Sequence, residues 1–490
     1  MGLGLRARAE ITPDKPALIA GDEILTFAEV DRRADRAARA LSELSGGASR
    51  VAIALKNRID FYDIVAGAAR LGVEAVPVPW RSSAREVAYY VEDSHAAPLI
   101  VEDDAPVDGT HVTLTQWRAL MAMCKDEPLD SDPDPIVIRN YTSGTTGRPK
   151  AVQRVARSRA QMLASIGRYL ELFSVDGDDG VHLVCGPLYH TAPLAFSTQA
   201  LQLGQTVVLM ERFDARDFLD AIDAHRVTWT FVVPIHLRRI LALPRDVLDG
   251  YDLTSLHRVL VAGAPCPVRV KEQAIETFPP GTVWEFYGTT EGRATVISPD
   301  EALQRPGSVG RAIEGITVRV LDADGRQCAP GDVGMVYMSP LDGVRFEYAG
   351  APDKTEQAWR DGLFTVGDMG YTDEDGYLYL TDRAQDLIIT GGANVYPAEV
   401  EATLAMHPGV EDAVVFGVPD DEWGESVRAL VQLRAPAEPD ELIAFCRENL
   451  AHYKCPRVIE VAAELPRDLN GKIRRRDVRD PYWEGRTRRI

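Results

Sequence analysis

The chain has few cysteines, and none is spaced for chemistry with another. Six are spread over 490 residues, and no C-x-x-C pair is present; they are Cys124, Cys185, Cys266, Cys328, Cys446 and Cys455. Structural zinc sites and disulfide scaffolds need closely spaced or numerous cysteines. We therefore expect free thiols in a reducing cytoplasm and no structural zinc.

Long apolar runs and basic charge are also scarce. No apolar run approaches the ~20 residues that span a bilayer, and the start of the chain lacks the apolar core of a secretory signal. Lys and Arg number 54 against 74 Asp and Glu, a formal net charge of −20. This charge disfavours nucleic acid and anionic lipid as partners. We expect no nucleic-acid partner and no stable membrane insertion. We interpret the basic tail at 473–490 as a solvated end whose arginines offset local acidity; an electrostatic role toward an anionic substrate is the alternative.

The remaining composition is that of an ordinary globular enzyme. Hydrophobic residues make up 45% and charged residues 26% of the chain, which excludes a disordered protein. The length allows about three domains of usual size. No internal repeat is present, and the sequence leaves a homodimer open.

The first hundred residues alternate between strand and helix patterns. Strands are predicted at 51–55, 73–78 and 98–103, and helices at 58–71 and 82–94, the latter with Ser83 and Glu86 at capping-box spacing. This βαβαβ order predicts parallel strands with helices on both faces.

The same pattern returns later, with a helix after Asp214 and strands at 228–234, 257–265 and 282–288. Because one sheet holding all these strands would be unusually wide, we predict two doubly wound subdomains. Short alternating strands from about Pro306 predict a small antiparallel barrel. After Gln385 the pattern reads α-β-β-α-β. The fold class is therefore α/β, with a smaller α+β unit at the end of the chain.

The segment YTSGTTGRPK, Tyr141 to Lys150, suits a polyphosphate. Two glycines permit close backbone approach, four hydroxyl side chains stand beside backbone N–H groups, and Lys150 adds a point charge. The spacing differs from the G-x-x-x-x-G-K-[ST] loop. A plain polar surface loop is the alternative.

Four further segments carry candidate ligand-binding residues. EFYGTTEG (285–292) lies at the carboxyl end of a predicted strand, where ligands bind in open α/β sheets. Tyr287 would stack on a base and Glu291 would ligate Mg²⁺. Asp368 suits a ribose diol because a carboxylate accepts from both hydroxyls. Arg383 precedes a loop with Gly391 and Gly392, and Lys472 follows a tight Asn-Gly turn. Each of these is alternatively turn chemistry or solvated charge.

In this order the five segments resemble those of the adenylate-forming superfamily, which includes acyl-CoA synthetases, aryl-CoA ligases, firefly luciferase and peptide-synthetase adenylation domains. The resemblance covers nearly the whole chain. It implies an adenylating domain at 1–384, built from the two doubly wound subdomains and the barrel, and a mobile C-terminal domain at 385–490. It also implies an AMP-forming ligase that uses ATP, Mg²⁺ and CoA.

The resemblance assigns a role to each matching position. Asp368 and Arg383 would hold the ribose, and Lys472 would bridge the reacting carboxylate and the α-phosphate. Thr290 would lie near the α-phosphate, and Glu291 with Thr145 would ligate Mg²⁺. The ATP-contacting set comprises Thr142, Ser143, Gly144, Thr145, Thr146, Gly147, Lys150, Gly263, Ala264, Pro265, Glu285, Phe286, Tyr287, Gly288, Thr289, Thr290, Asp368, Arg383 and Lys472.

The resemblance also implies that the small domain rotates between two half-reactions, exchanging the Lys472 face for the Gly391–Gly392 face at the CoA tunnel. At the hinge the family commonly has Asp or Lys, whereas this chain has Gln385. The departure puts the electrostatic bias of the hinge in doubt.

The segment GPLYHTAPLAF (186–196) resembles the region that closes the carboxylate site, most closely in bacterial fatty-acyl and sterol- or bile-acyl synthetases. His190 would orient the substrate carboxylate; a hydrogen-bonded structural histidine is the alternative. The absence of an acid here disfavours an α-amino acid substrate. The expected acid pocket comprises Tyr189, His190, Val261, Ala262, Gly263 and Gly310. Transfer to a carrier protein or an amine, adenylation of an unusual acid such as nitrite, and a catalytically silent nucleotide sensor remain alternatives.

Overall fold

The computed structural model of the chain describes residues 4–129, 136–142, 149–154, 171–175, 177–340, 343–383, 386–467 and 473–484. Within them the helices are α1 (Leu5–Ile11), α2 (Phe27–Ser45), α3 (Ile59–Arg70), α4 (Ala84–Ser94), α5 (Leu114–Met123), α6 (Thr191–Leu203), α7 (Ala215–His225), α8 (Pro234–Leu241), α9 (Arg245–Leu248), α10 (Val268–Thr277), α11 (Pro299–Gln304), α12 (Pro352–Ala358), α13 (Pro397–Met406), α14 (Pro439–Asn449) and α15 (Arg475–Arg479).

The strands are β1 (Pro16–Ala20), β2 (Glu23–Thr26), β3 (Arg50–Ala54), β4 (Glu74–Pro77), β5 (Leu99–Val101), β6 (Val112–Thr113), β7 (Asn140–Thr142), β8 (Lys150–Arg154), β9 (Val181–Val184), β10 (Thr206–Leu209), β11 (Trp229–Val232), β12 (Arg258–Val261), β13 (Val283–Gly288), β14 (Arg293–Ile297), β15 (Arg311–Ala312), β16 (Val318–Leu321), β17 (Gly334–Met338), β18 (Phe346–Tyr348), β19 (Trp359–Arg360), β20 (Leu363–Phe364), β21 (Asp368–Thr372), β22 (Leu378–Arg383), β23 (Ile388–Thr390), β24 (Ala393–Val395), β25 (Val410–Asp420), β26 (Gly424–Leu433) and β27 (Val458–Ala462).

The predicted first subdomain is a four-stranded parallel sheet in the order β4-β3-β5-β6. Strands β3, β4 and β5 consist mainly of buried apolar residues, as expected for a sheet covered on both faces. The predicted capping box is confirmed, because Ser83 accepts from the backbone N–H of Glu86 and the Glu86 side chain returns a bond to Ser83.

The second subdomain is a nine-stranded sheet in the order β15-β14-β13-β12-β11-β9-β10-β1-β2. The six strands from β13 to β1 run parallel, as predicted. Asp214 caps helix α7 through the N–H groups of Arg216 and Asp217, also as predicted. The N-terminal hairpin β1–β2 was not predicted here; it completes the sheet beside β10, which follows almost 190 residues later in the chain.

The antiparallel region predicted from Pro306 is a six-stranded sheet formed by β16, β17 and β19–β22. Beside it lies a three-stranded sheet in the order β18-β8-β7. The segment Tyr141 to Lys150 was predicted only as a phosphate loop. Its two flanks are the strands β7 and β8, which pair with each other, and β8 also pairs with β18 of the later region.

The C-terminal unit follows the predicted α-β-β-α-β order with α13, β25, β26, α14 and β27, preceded by the short hairpin β23–β24. Its apolar core is separate from those of the N-terminal sheets. The tail differs from expectation, because Arg475 and Arg479 are not solvated. Both lie within 3.5 Å of the Asp386 carboxylate, and Arg475 also contacts Glu401. In the part of the chain that the structure describes, no helix has the length and apolarity to cross a membrane.

Candidate active site

The predicted phosphate loop is closed at its base by a pair of strands. Thr142 and Lys150 are register partners of β7 and β8, and the Thr142 hydroxyl donates to the Lys150 carbonyl at 3.4 Å. Tyr89 donates from its hydroxyl to the Pro149 carbonyl at 2.6 Å. Ser143, Gly144, Thr145, Thr146 and Gly147 lie outside the described residues. Seven residues therefore connect strands that are already hydrogen-bonded, which fixes where the loop begins and ends.

The predicted base and ribose residues meet at the carboxyl end of β13. The Tyr287 hydroxyl donates to the Asp368 carboxylate at 2.5 Å, and both side chains are buried. Asp368 is the register partner of Arg383 across β21 and β22, although the Arg383 side chain lies outside the described residues. The structure thus brings together three positions that are far apart in sequence.

Glu285 lies two residues earlier on the same strand, on the face that also carries Tyr287. It forms an ion pair with Lys271, whose ammonium group also donates to the Ser308 carbonyl at 3.0 Å. Both side chains are buried. Burial raises the pKa of Glu285, while the neighbouring Lys271 opposes that shift. Sequence analysis missed Lys271, since a lysine on an amphipathic helix gives no sign that it is buried.

The predicted metal ligand Glu291 is contacted by a residue of the three-stranded sheet. Tyr348 of β18 donates from its hydroxyl to Glu291 Oε1 at 2.8 Å, and both residues are buried. Because β18 pairs with β8 through Tyr348 and Val152, Glu291 lies on the side where the phosphate loop is anchored. The backbone N–H of Glu291 donates to the Thr289 hydroxyl at 3.2 Å.

The donor set fits Mg²⁺ bound through ATP. Within the described ranges no group of three or more His, Cys, Asp or Glu side chains is placed to hold a metal ion. Glu291 supplies one carboxylate, and Mg²⁺ in nucleotide sites commonly takes one or two carboxylates together with phosphate oxygens and water. Thr145, the second predicted ligand, lies outside the described residues.

His190 precedes helix α6 as its N-cap residue. Its Nε2 atom is buried without a hydrogen-bond partner among the described residues, and burial lowers its pKa to about 4. The Tyr189 ring meets the His190 ring edge-on at 4.3 Å. A structural histidine would be expected to form hydrogen bonds with both ring nitrogens. A neutral imidazole with one unused ring nitrogen fits instead a residue that orients a polar group of the substrate.

Helix α6 also reaches the loop after β13. The Thr191 and Thr290 hydroxyl oxygens are 3.3 Å apart, which places His190 beside the segment that carries Thr290 and Glu291. The predicted carboxylate site and the predicted α-phosphate site are therefore neighbours.

Asn57 positions the segment before His190, and sequence analysis missed it. Its side-chain NH₂ donates to the carbonyls of Gly186 and Met210 at 2.9 and 3.0 Å, and its Oδ1 accepts from the Leu188 N–H at 2.8 Å. All three bonds are buried. The signal was available, since Asn57 follows the predicted strand at 51–55 on the edge where ligands bind.

The expected pocket wall lies at the end of β12. Val261 and Ala262 are buried, Ala264 is half-buried and Pro265 is exposed. Gly263 has a φ of 90°, and a Cβ there would lie 3.2 Å from Val233. Gly310 packs against β14 so closely that a Cβ would lie 2.0 Å from the Val296 carbonyl oxygen. The glycine at 310 is thus required by packing, independently of any substrate contact.

Gly391 and Gly392 form the two-residue turn of hairpin β23–β24, with φ values of 56° and 79°. Positive φ at both central residues is typical of a type I′ turn. The Gly391 N–H donates to the Trp423 carbonyl at 2.8 Å, and a Cβ at Gly391 would meet the Trp423 ring. Gln385 and Lys472 lie outside the described residues.

Comparison with known proteins matches both parts of the chain to models of one family. A model described as AMP-binding enzyme matches residues 5–340, and one described as AMP-binding enzyme C-terminal domain matches residues 399–472. The fatty acid–[acyl-carrier-protein] ligase ScoC of Streptomyces coeruleorubidus is 36% identical over 98% of this chain and 96% of its own. The 2-succinylbenzoate–CoA ligase of Bacillus licheniformis is 33% identical over 96% of this chain and 98% of its own.

Solved structures of relatives superpose on this chain over nearly its whole length. The o-succinylbenzoate CoA synthetase of Bacillus subtilis, in complex with its acyl-adenylate intermediate, superposes with a TM-score of 0.85 and 31% identity over 97% of both chains. The same enzyme with ATP and a magnesium ion gives a TM-score of 0.83 and 30% identity over 96% of this chain and 98% of that one. The predicted α/β fold class, with its large and small domains, is confirmed.

Proposed function

The chain belongs to the family of AMP-binding enzymes, and we propose that it activates a carboxylic acid with ATP and passes the acyl group to the thiol of CoA. The expectation of an AMP-forming ligase is confirmed by its relatives. One observation carries the assignment to residues: Tyr287 with Asp368, Tyr348 with Glu291, and Thr191 with Thr290 form three contacts around the carboxyl end of β13.

The first half-reaction joins two anions. A carboxylate oxygen attacks the α-phosphorus of ATP, and the bond to pyrophosphate breaks. We assign ribose binding to Asp368 and Arg383, adenine packing to Tyr287, and orientation of the carboxylate to neutral His190. Lys150 and Lys472 offset the charge that develops on the phosphates. When bound, Mg²⁺ supplies further charge neutralisation, with Glu291 as its protein ligand.

The second half-reaction breaks the mixed anhydride. The CoA sulfur loses its proton, attacks the acyl carbon and displaces AMP. We assign the Gly391–Gly392 turn to the pantetheine path, because a Cβ at Gly392 would meet no atom within 4 Å. We propose that the unit at 385–490 rotates between the two half-reactions, a gating motion of the lid-and-hinge kind.

The floor of the proposed acid site is filled with aromatic side chains. Phe286 lies on the face of β13 opposite Tyr287, and its ring centroid is 6.2 Å from that of Phe196 and 6.1 Å from that of Phe231. All three residues are at most 6% exposed, and they belong to the cluster that contains Ala262 and the Leu188 and Leu194 side chains on either side of His190. We infer that an acid tail does not pass between α6 and the sheet, and that the substrate is a compact acid.

A carrier protein is the second candidate acceptor. The relative from Streptomyces coeruleorubidus is a fatty acid–[acyl-carrier-protein] ligase, and a phosphopantetheine arm presents the same thiol as CoA. The six cysteines are free thiols, which fits the reducing cytoplasm that we propose as the location of the enzyme. Comparing thioester yield with CoA and with a phosphopantetheinylated carrier protein separates the two acceptors.

A further inference from the structure

Asp412, on strand β25 of the C-terminal domain, receives two arginines from different parts of the chain. Arg238 Nη1 of helix α8, in the N-terminal domain, donates to Asp412 Oδ2 at 2.7 Å. Arg467 of the C-terminal domain pairs with the same oxygen. Arg238 also donates to the carbonyl of Glu411. The three side chains are 19–21% exposed, so solvent only partly screens their charges.

Arg467 is the last described residue before the segment 468–472, which carries the proposed catalytic Lys472. Arg467 and Ile473 form an isolated antiparallel bridge, and Lys472 immediately precedes Ile473 in sequence. A side chain that fixes Arg467 therefore fixes one end of the Lys472 segment.

Arg238 lies on helix α8, five residues after Val233, which borders the proposed acid site. Helix α8 begins at Pro234, directly after Val233, the residue that packs against Gly263. A short rigid helix thus connects the end of β11 to the Asp412 carboxylate. One arm of the ion pair leads toward Lys472 in the C-terminal domain, and the other leads to the expected pocket wall at Gly263 in the N-terminal domain.

We propose that Asp412 is a positioning residue for the adenylating half-reaction: by joining Arg238 to Arg467 it holds the C-terminal domain in the arrangement that presents Lys472 to the acid and ATP. The inference rests on the proposed function. If the domain rotates before thioester formation, the Arg238–Asp412 bond breaks at that step, whereas the Asp412–Arg467 bond stays within one domain. The cluster then favours one of two discrete arrangements.

The charges of the three residues predict which substitution slows adenylation most. Arg238→Ala removes one partner and leaves the Asp412–Arg467 pair intact. Asp412→Asn leaves two guanidinium groups facing a neutral amide, so their repulsion opposes the same arrangement. We expect acid-dependent ATP–pyrophosphate exchange to slow by about tenfold in Arg238→Ala, and by at least as much in Asp412→Asn, the scale of a partly buried charge pair.

The experiment measures each half-reaction separately in the full-length enzyme. Thioester formation from supplied acyl-adenylate should be unchanged or faster in Arg238→Ala and Asp412→Asn, because this half-reaction does not need the Arg238–Asp412 ion pair between the domains. The double variant should lose no more than Asp412→Asn alone, because the two residues act through one bond and removal of Arg238 also removes the repulsion between the guanidinium groups. Glu460→Gln is the matched control: Arg428 Nε donates to Glu460 at the same 2.7 Å, but both residues lie in the C-terminal domain.

Equal loss in both half-reactions, or wild-type exchange in Arg238→Ala and Asp412→Asn, would overturn the positioning role while leaving the proposed function standing. Loss of exchange in Glu460→Gln to the same degree would also overturn it, since the effect would then be general to ion pairs of this domain. A wild-type enzyme that exchanges pyrophosphate with no acid would instead overturn the proposed function, and the positioning role with it.

Discussion

The Tyr287 hydroxyl donates a 2.5 Å hydrogen bond to the Asp368 carboxylate, and this bond joins the nine-stranded sheet to the six-stranded antiparallel sheet at the proposed nucleotide site. Tyr287 is the penultimate residue of β13 and Asp368 is the first residue of β21. The phenol thus orients the carboxylate that we assign to the ribose.

Asp368→Ala should weaken ATP binding by about 1.5–3 kcal/mol, the scale of hydrogen bonds to a charged group. Tyr287→Phe keeps the ring and removes only the orienting bond, so we expect a smaller loss, about 1 kcal/mol. Calorimetric titration of ATP into the folded variants measures both. If Asp368→Ala binds ATP as tightly as the wild type, Asp368 serves only as a turn residue and does not bind the ribose.

Glu291→Gln should raise the Mg²⁺ concentration that pyrophosphate release requires, because hard cations prefer carboxylate oxygen to amide oxygen. Tyr348→Phe is the companion variant, since it removes the 2.8 Å bond to Glu291 without removing the carboxylate. We expect its Mg²⁺ titration to lie closer to wild type than that of Glu291→Gln. Superimposable titrations of Glu291→Gln and wild type would contradict the metal role.

Local features of the fold could be predicted from the sequence, whereas long-range contacts could not, and the difference has a physical cause. Capping boxes, parallel strands and the order of the C-terminal elements depend on residues close together in sequence, so Ser83 and Asp214 were predicted correctly. Asn57 bonds to Leu188 across 131 positions, and Arg238 bonds to Asp412 across 174. Local periodicity carries no information about such pairs. The roles of all the predicted site residues stay predictions, and Lys472, Thr145 and Gln385 also lie outside the described residues.

Phe286→Ala should open the proposed acid site and shift its preference toward longer acids. Each methylene that enters the new space gains about 0.8 kcal/mol. Chain-length profiles of acid-dependent pyrophosphate release test this, with Phe218→Ala as the control. Phe218, on helix α7, is also buried but belongs to a different apolar cluster from Phe286. Phe286→Leu provides a milder variant if Phe286→Ala is unstable. A wild-type preference for long-chain acids would contradict the compact-acid inference.

His182→Phe should make stability less dependent on pH. His182 is buried against Trp229, with a centroid distance of 3.7 Å, and burial lowers its pKa to about 3. Because the folded pKa lies below the unfolded value of about 6.5, protons favour the unfolded chain, and stability falls as the pH drops below about 6.5. The loss approaches about 1.4 kcal/mol per pH unit.

Urea unfolding at two pH values, about 7 and 5, should show a smaller loss in His182→Phe than in wild type. The exposed His257 is the control, and His257→Gln should follow wild type. Parallel losses in His182→Phe and wild type would show that His182 does not titrate as its burial requires.

Gly392→Trp should block thioester formation while leaving acid-dependent pyrophosphate exchange nearly unchanged, because the turn would face the site only after rotation. Gly392→Ala carries the same backbone strain at a φ of 79° without the bulk, and it separates strain from obstruction. Equal effects of the two substitutions would contradict the pantetheine path.

Acid-dependent release of pyrophosphate from ATP, measured over a panel of compact carboxylic acids with and without CoA, tests the central claim most directly. We predict that at least one acid stimulates pyrophosphate release, that AMP is formed in equal amount, and that CoA accelerates turnover with formation of the corresponding thioester. Pyrophosphate release that no acid stimulates would contradict acid activation, and turnover on an activated acid that CoA does not accelerate would contradict CoA as the acceptor.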